Sequence, residues 1–404
     1  KADQVAAYEA VRKGILDYDS RYGYKGAEAF VNIPLSDINP AKTLISALQE
    51  HNDSDDLLIA AVLSSSSNHV EAILKNGLSI QISGDGLKLA KKYLIADPQL
   101  GNKRIRKGSL IRVQKDNHNH WRITQLPEVE AALISIDAND GKIRALVGGF
   151  DFYLNQFNHV TQAWRQPGSS FKPFIYSASL EKGFTPATII NDAPIYFDAA
   201  QTGSKPWEPK NFDGKFSGPI RMRVALAQSK NLASIRILQA IGPRYAQDYI
   251  TRFGFDSSRH PPYLPMALGA GSVTPLQMAS GYAIFANGGY KVDPYFIARV
   301  EDDKGNIIQQ VDPLVAGQNA TQIIDPRNAF LMNSMMQDVI QRGTATAAKQ
   351  LKRSDLAGKT GTTSNFIDAW FCGYQKDLIT VAWVGFDEPK SLGKNETGGK
   401  VALP

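Results

Sequence analysis

The segment Arg165-Gln166-Pro167-Gly168-Ser169-Ser170-Phe171-Lys172-Pro173 sets a serine and a lysine three residues apart. Pro167-Gly168 breaks the preceding structure, and an apolar run through Phe174, Ile175, Ala178 and Leu180 continues to Gly183. The pattern predicts a helix that starts at Ser169. Lys172 then shares a helix face with Ser169, with Cβ atoms about 5–6 Å apart. A serine hydroxyl is a poor nucleophile until a nearby base takes its proton. A lysine one turn away can take it once burial lowers its pKa. The helix start also offers unpaired N–H groups and a positive dipole end. This is the chemistry of acyl transfer through a serine ester.

Ser-x-x-Lys by itself carries little, since it recurs at Ser179–Lys182 and Ser391–Lys394. The first of these lies at the far end of the same predicted helix, away from free N–H donors, and reads as a solvated helix end. The companions decide. Ser229-Lys230-Asn231 lies 60 residues beyond Ser169, and Lys359-Thr360-Gly361-Thr362 lies 130 beyond Ser229. The one other Ser-x-Asn, Ser66-Ser67-Asn68, is far from both. Ser229 can relay a proton to a leaving amine, and Asn231 can hydrogen-bond a substrate amide and Lys172. Lys359, Thr360, Gly361 and Thr362 form a substrate-binding set: Lys359 and Thr362 can hold a carboxylate, and Gly361 lets backbone and substrate approach closely. Catalytic roles therefore fall to Ser169, Lys172 and Ser229. No metal or cofactor is expected.

The elements that must position these residues fall in three stretches of the 404 residues. Residues 1–54 read as linker helices, one from Val5 to about Gly23 and a shorter one over Ala41–Glu50. Residues 55–126 change to short strands and turns. Val70–Leu74 and Leu78–Ile82 flank Asn76-Gly77, a hairpin signal, and Leu110–Val113 and Trp121–Leu126 flank a polar tip. An OB-like β-barrel is expected there. Residues 127–404 open on a hairpin, Ala132–Asp137 with Lys142–Val147. They continue through a long helical middle and return to strands at Phe366–Tyr374 and Leu378–Trp383. Strands at both ends with helices between predict an α+β domain, an antiparallel sheet with helices packed on it.

The three motifs, with Gly168-Ser169-Ser170-Phe171-Lys172-Pro173-Phe174, Leu226-Ala227-Gln228-Ser229-Lys230-Asn231 and Gly358-Lys359-Thr360-Gly361-Thr362-Thr363 as they stand here, resemble the active-site set of class A penicillin-binding proteins. Ala267–Ala279, Phe285–Gly289 and Pro127–Leu133 resemble further segments of that family, and the similarity covers nearly the whole chain. It is greatest to the Gram-negative branch, in which a small OB-like docking domain precedes the transpeptidase. The resemblance implies attack of Ser169 on a D-Ala-D-Ala stem peptide of peptidoglycan, with an oxyanion hole formed by the backbone N–H groups of Ser169 and Thr362. It implies inhibition by β-lactam antibiotics, a place on the periplasmic face of the bacterial inner membrane, and an envelope lipoprotein activator docked on residues 55–126. The family's glycosyltransferase signature and membrane anchor are not found, so the chain reads as a fragment without its N-terminal half. It also stops at Val401-Ala402-Leu403-Pro404, where the family continues into a further helix.

Other features exclude more than they add. The net charge of +6 is spread out apart from Lys103–Lys107, which gives nucleic-acid binding little support. A single cysteine, Cys372, rules out an internal disulfide and reads as a buried thiol in a strand. His118 and His120 read as a polar hairpin tip, Gly269-Ala270-Gly271 as a turn, and Glu208 as part of a structural loop. The competing functions are a serine β-lactamase or D,D-carboxypeptidase, and a β-lactam sensor. A β-lactamase calls for a Glu-x-x-Leu-Asn pattern between Asn231 and Lys359, and none occurs. A sensor calls for transmembrane helices.

Overall fold

The computed structural model describes residues 1–34, 36, 38–202 and 205–404. The chain divides into two compact units: residues 15–128 with 151–156, and residues 1–14, 129–150 and 157–404. The first helix, α1 (Ala2–Arg21), contributes to both. Among the described residues no helix is long and apolar enough to cross a membrane.

The smaller unit is a six-stranded antiparallel sheet of β1 (Ala29–Phe30), β2 (Leu58–Ser65), β3 (His69–Leu74), β4 (Ser79–Ser83), β5 (Ser109–Lys115) and β6 (Trp121–Thr124), in the order β1-β5-β2-β3-β4 with β6 also on β5. Both predicted hairpins form: β3 and β4 around Asn76-Gly77, and β5 and β6 around Asp116–His120. Residues 29–48, expected to be linker, belong to this unit. They supply β1 and the helix α2 (Pro40–Leu48), whose start is fixed by Asn39 capping the Lys42 N–H and by Pro40. Leu44 and Leu48 pack on Ile59, Ile73 and Leu110, while Val62, Val70, Ile82 and Ile111 form a separate core. With apolar clusters on both faces, β5 is buried along nearly all its length.

The larger unit is built on a five-stranded antiparallel sheet. Its first hairpin is β7 (Glu130–Asp137) and β8 (Ile143–Val147). There follow α3 (Lys172–Glu181), β9 (Ile189–Asp192), α4 (Ala199–Thr202), β10 (Gly218–Arg221), α5 (Met222–Ala227), α6 (Asn231–Ile241), α7 (Pro243–Thr251) and α8 (Pro275–Ala286). Two small two-stranded sheets pair β11 (Tyr290–Lys291) with β14 (Thr321–Gln322) and β12 (Arg299–Glu301) with β13 (Ile307–Gln310), and α9 (Pro326–Arg342) leads back to the main sheet. There β15 (Ala357–Thr362), β16 (Ala369–Gln375) and β17 (Leu378–Gly385) complete the order β15-β16-β17-β7-β8. The pairing of β17 with β7, Trp383 opposite Ala132, joins the two ends of the unit's sequence. The α+β architecture is the one the strand–helix–strand pattern predicts.

Two helices show why the chain folds locally as it does. A reciprocal Thr274–Gln277 capping box and Pro275 start α8, which then packs on the sheet. The first eight residues of α3, Lys172 to Ser179, are all buried. A helix buried all round is a central one, and rings from Phe171, Phe174, Phe253, Phe255 and Phe285 interlock beside it.

Candidate active site

Ser169 lies in a 3-10 turn, Gly168–Phe171, that runs directly into α3, so Lys172 is the first residue of the α-helix proper. The turn is held from several sides. The Ser170 hydroxyl donates to Pro167 O at 2.6 Å, Tyr282 donates to Ser170 O at 2.6 Å, and the Gly168 N–H donates to Gly269 O at 3.3 Å. Upstream, Arg165 is paired with Asp368 at 2.7 Å, both largely buried, and Trp370 Nε1 donates to Gln166 O. Gly168 has φ +55, and a Cβ there would stand 2.8 Å from Thr362 O. At Gly361 a Cβ would meet Pro167 O at 2.5 Å and Ser170 Oγ at 2.9 Å. These two glycines let the edge strand β15 lie against the nucleophile turn.

Ser229 follows α5, with its N–H bonded to Leu226 O, and adopts φ +58. A left-handed serine costs about 1–2 kcal/mol, so its neighbours must hold it there. Asn231 begins α6. Lys172 Nζ donates to Ser229 O at 2.8 Å and to Asn231 Oδ1 at 2.7 Å, and lies 3.3 Å from Ser229 Oγ. The Asn231 side chain is oriented by its own Nδ2, which donates to Lys210 O at 2.9 Å. Lys359 Nζ donates to Ser229 Oγ and to Thr360 O, each at 2.9 Å. The Thr360 and Thr344 hydroxyls bond at 2.6 Å, and the Gly398 N–H donates to Thr362 Oγ1 at 3.1 Å.

Both lysines are fully buried. Burial pushes Lys172 well below the ordinary lysine range, the charge of Lys359 pushes it further, and Asp192 opposes them. Burial lowers Lys359 to about 7. A neutral amine has two N–H donors and one lone pair. The two shorter contacts of Lys172, to Ser229 O and Asn231 Oδ1, match the two donors of a neutral amine, and the third, to Ser229 Oγ, is then the one that its lone pair can accept. Ser169, Ser229, Asn231, Thr360 and Thr362 all line one cleft of about 980 Å³. The sequence-predicted residues are thus brought together, with Lys172, Lys359 and Gly361 buried at its wall.

The family model of the penicillin-binding protein transpeptidase domain matches residues 131–402, and that of the penicillin-binding protein OB-like domain matches residues 24–129. The chain belongs to the penicillin-binding proteins. It is 47% identical over 403 residues to penicillin-binding protein 1A of Neisseria flavescens, covering 100% of this chain and 50% of that one. It is 40% identical to penicillin-binding protein 1A of Pseudomonas aeruginosa, covering 99% of this chain and 54% of the relative. The chain therefore spans about half the length of these relatives. The crystal structure of penicillin-binding protein 1A from Haemophilus influenzae superimposes with a TM-score of 0.92 at 32% identity, over 100% of this chain and 63% of that one.

In this penicillin-binding protein Gly269 and Ala270 line the cleft as part of a turn, and the other sequence candidates fall away from it. Ser179 is buried and donates to Tyr176 O, and Lys182 lies over the Tyr245 ring. Ser391 accepts from the Gly393 N–H in a turn, and Ser66 and Asn68 bond to one another in the other unit. His118 and His120 sit in the β5–β6 turn, their backbone N–H groups bonded to Asp116. Among the described residues no cluster of three or more His, Cys, Asp or Glu could hold a metal. Glu208 is exposed and is not a lining residue. Cys372 is buried on β16 opposite Lys359, its thiol pushed up to about 12 by burial.

Sequence reasoning missed several lining residues: Trp207, Asn211, Phe212, Asp213 and Phe216 on one side, and Arg342, Thr344 and Phe366 elsewhere. Phe212 and Phe366 make an edge contact at 5.6 Å. The Asn211 side chain and the Gly269 carbonyl accept from backbone N–H groups 20 and about 100 residues away. A single sequence carries no periodic signal for either.

Proposed function

We propose that this chain is the transpeptidase part of a peptidoglycan D,D-transpeptidase that works through an ester on Ser169 and is trapped by β-lactams. The observation that carries the reading is the Lys172 contact set: a fully buried amine with both N–H donors engaged at Ser229 O and Asn231 Oδ1. Its lone pair takes the Ser169 proton as Oγ bonds to the carbonyl carbon of the penultimate D-Ala. The N–H groups of Ser169 and Thr362 receive the oxyanion. Lys359 and Thr362, with Thr360 behind them, hold the terminal carboxylate. Collapse breaks the C–N bond, and the proton passes from Lys172 through Ser229 to the leaving D-Ala amine. An acceptor amine from a second stem peptide then attacks the ester. Its proton returns by the same route, restoring Ser169 and leaving a new amide.

The proposed place of work is the periplasmic face of the inner membrane, where peptidoglycan is the substrate. The β-rich unit, which matches the OB-like domain model, is the proposed docking site for an envelope lipoprotein activator. Incubation with a penicillin followed by peptide mapping tests the central claim. The expected adduct is on the peptide carrying Ser169, absent in Ser169→Ala. An adduct that persists in that variant, or that maps elsewhere, overturns it.

A further inference from the structure

The middle residue of Ser229-Lys230-Asn231 has no role in the scheme above, yet its side chain is only 5% exposed. Lys230 Nζ lies 2.8 Å from Asp213 Oδ2 and 3.7 Å from Asp192 Oδ2. Asp192 closes β9 and is fully buried. Its Oδ1 accepts from Asn211 Nδ2 at 2.7 Å and its Oδ2 from the Ser217 N–H at 2.9 Å. Asn211 Nδ2 also donates to Lys215 O, while Asn211 Oδ1 accepts from the N–H groups of Asn231 at 2.8 Å and Leu232 at 3.2 Å.

Those two N–H groups open α6, and Lys230 gives that helix no side-chain cap of its own. A helix start leaves its first N–H groups without partners. Asn211 supplies the missing acceptor from 20 residues upstream. The same residue ties segment 211–217, which walls the cleft with Phe212, Asp213 and Phe216, to the buried carboxylate of Asp192. Ser229 is therefore fixed on both sides. Its N–H is bonded to Leu226 O, the Lys230 ammonium is clamped between two carboxylates, and Asn231 is capped.

We infer that Asp192, Asn211, Lys230 and Asp213 form a positioning cluster that holds Ser229 and Asn231 on Lys172 and sets the charge around that amine. The inference rests on the reading of Lys172 as the base. None of the four is a catalytic residue; they act through Ser229, Asn231 and Lys172. The charged groups acting on Lys172 are Lys359 and Asp192, and the other titratable groups of the surrounding elements stand further back. Lys359 stands on β15, Asp192 on β9 and Lys230 at the start of α6, with Asp213 behind Lys230. Tyr176 on α3 and Cys372 on β16 are neutral. Of the charged groups, Lys359 opposes a proton on Lys172 and Asp192 favours one.

The test is the pH profile of acylation by a fluorescent penicillin, measured on the whole chain and its variants. The acid limb of that profile follows loss of the free amine at Lys172. Asp192→Asn removes the carboxylate that favours the protonated lysine, so its acid limb moves to lower pH. A role in fold stability alone lowers the rate without moving the limb. Asn211→Ala leaves the charges in place and loosens the start of α6, and its rate falls about 10–100-fold with the limb near that of the parent. Lys230→Met slows acylation, and Lys230→Arg recovers most of the loss. An unmoved acid limb in a folded Asp192→Asn overturns the inference. If that variant does not fold, Lys230→Met acylating at the parent rate overturns it. A parent chain that forms no adduct at Ser169 instead overturns the reading beneath it, and the two failures are told apart in one experiment.

Discussion

Lys359 and Lys172 reach the same hydroxyl from two elements: Lys359 Nζ is 2.9 Å from Ser229 Oγ and Lys172 Nζ is 3.3 Å from it. Two ammonium groups on one oxygen in a buried site repel strongly. One must give up its proton, and Lys172 is pushed further by burial and by its neighbour's charge. The arrangement keeps the base neutral by placing a cation beside it, and Ser229 becomes the shared path between the two.

Lys172→Arg keeps a side chain of similar length but replaces a neutral base with a fixed cation, since guanidinium does not release its proton in this range. It would also bury a fixed charge beside Lys359. Acylation of Ser169 by a penicillin is expected to fall by about 10²–10⁴-fold, with thermal stability lowered as well. Stopped-flow or gel-based acylation rates measure the first, and a thermal melt the second. Acylation within a few-fold of the parent chain shows that another group takes the proton.

Lys359 sets the opposite limb. Burial holds it at about 7, so it is charged below that pH and neutral above it. A donor that is held through its carboxylate loses its cation as pH rises. kcat/KM for such a donor is expected to fall above about pH 7. For an analogue with an amide in place of the carboxylate, it should stay flat there. Together with the acid limb of Lys172 this gives a bell for the carboxylate donor, whose two limbs report the pair of lysines. A flat alkaline side for both donors removes Lys359 from carboxylate binding.

Gly361→Ala puts a methyl group 2.5 Å from Pro167 O, at the cap of the nucleophile turn, and 2.9 Å from Ser170 Oγ within it. One partner is backbone and cannot swing aside, so β15 or the turn must shift. Over-packing of this kind costs about 1–3 kcal/mol. A displacement near 1 Å between nucleophile and oxyanion donors costs about 10²-fold in rate. Expected results are a modest drop in thermal midpoint and a large drop in acylation rate. Gly14→Ala, where a Cβ meets nothing within 4 Å, serves as the control.

How much of this was legible in the sequence follows from which contacts are local. Ser169 and Lys172 stand one turn apart, so their spacing encodes their proximity. The motifs at Ser229 and Lys359 were found by residue type and order. The strand carrying Lys359 was not read as a strand, because Gly358 and Gly361 break the β-branched pattern. Those glycines are there for the close approach of Cys372 O and Pro167 O. Residues 29–48 looked like linker because they are too short to build a core of their own, and their place in the smaller unit depends on Leu110 and Ile59 far along the chain. The predicted strand beginning at Phe366 starts instead at Ala369. Ser364–Phe366 forms a 3-10 turn in which Asn365 and Phe366 both have positive φ, and this turn lines the cleft. Asn211 and Asp192 carried no signal, since their work is done through partners about 20 residues away or more.

The fate of the ester separates a transpeptidase from a β-lactamase. Both form the same ester, so acylation cannot discriminate between them; deacylation can. Hydrolysis needs a carboxylate that holds and activates a water against the ester. The sequence between Asn231 and Lys359 offers none in the expected context, but Asp213 precedes the motif. Asp213 is the one carboxylate among the described lining residues of the cleft. It is occupied: Oδ2 accepts from Lys230 at 2.8 Å and Oδ1 from the Lys215 N–H at 3.0 Å. Those contacts lower its pKa against the effect of burial, and a carboxylate made less basic is a poorer proton acceptor. Loss of a general base removes about 10²–10⁴-fold in rate. The penicillin ester on Ser169 is therefore expected to survive for many minutes to hours, followed by intact-mass measurement after excess penicillin is removed. Asp213→Asn should leave that lifetime unchanged. Release of many equivalents per second by the purified chain places it with the hydrolases. An Asp213→Asn variant with a much longer lifetime makes Asp213 the water-activating group.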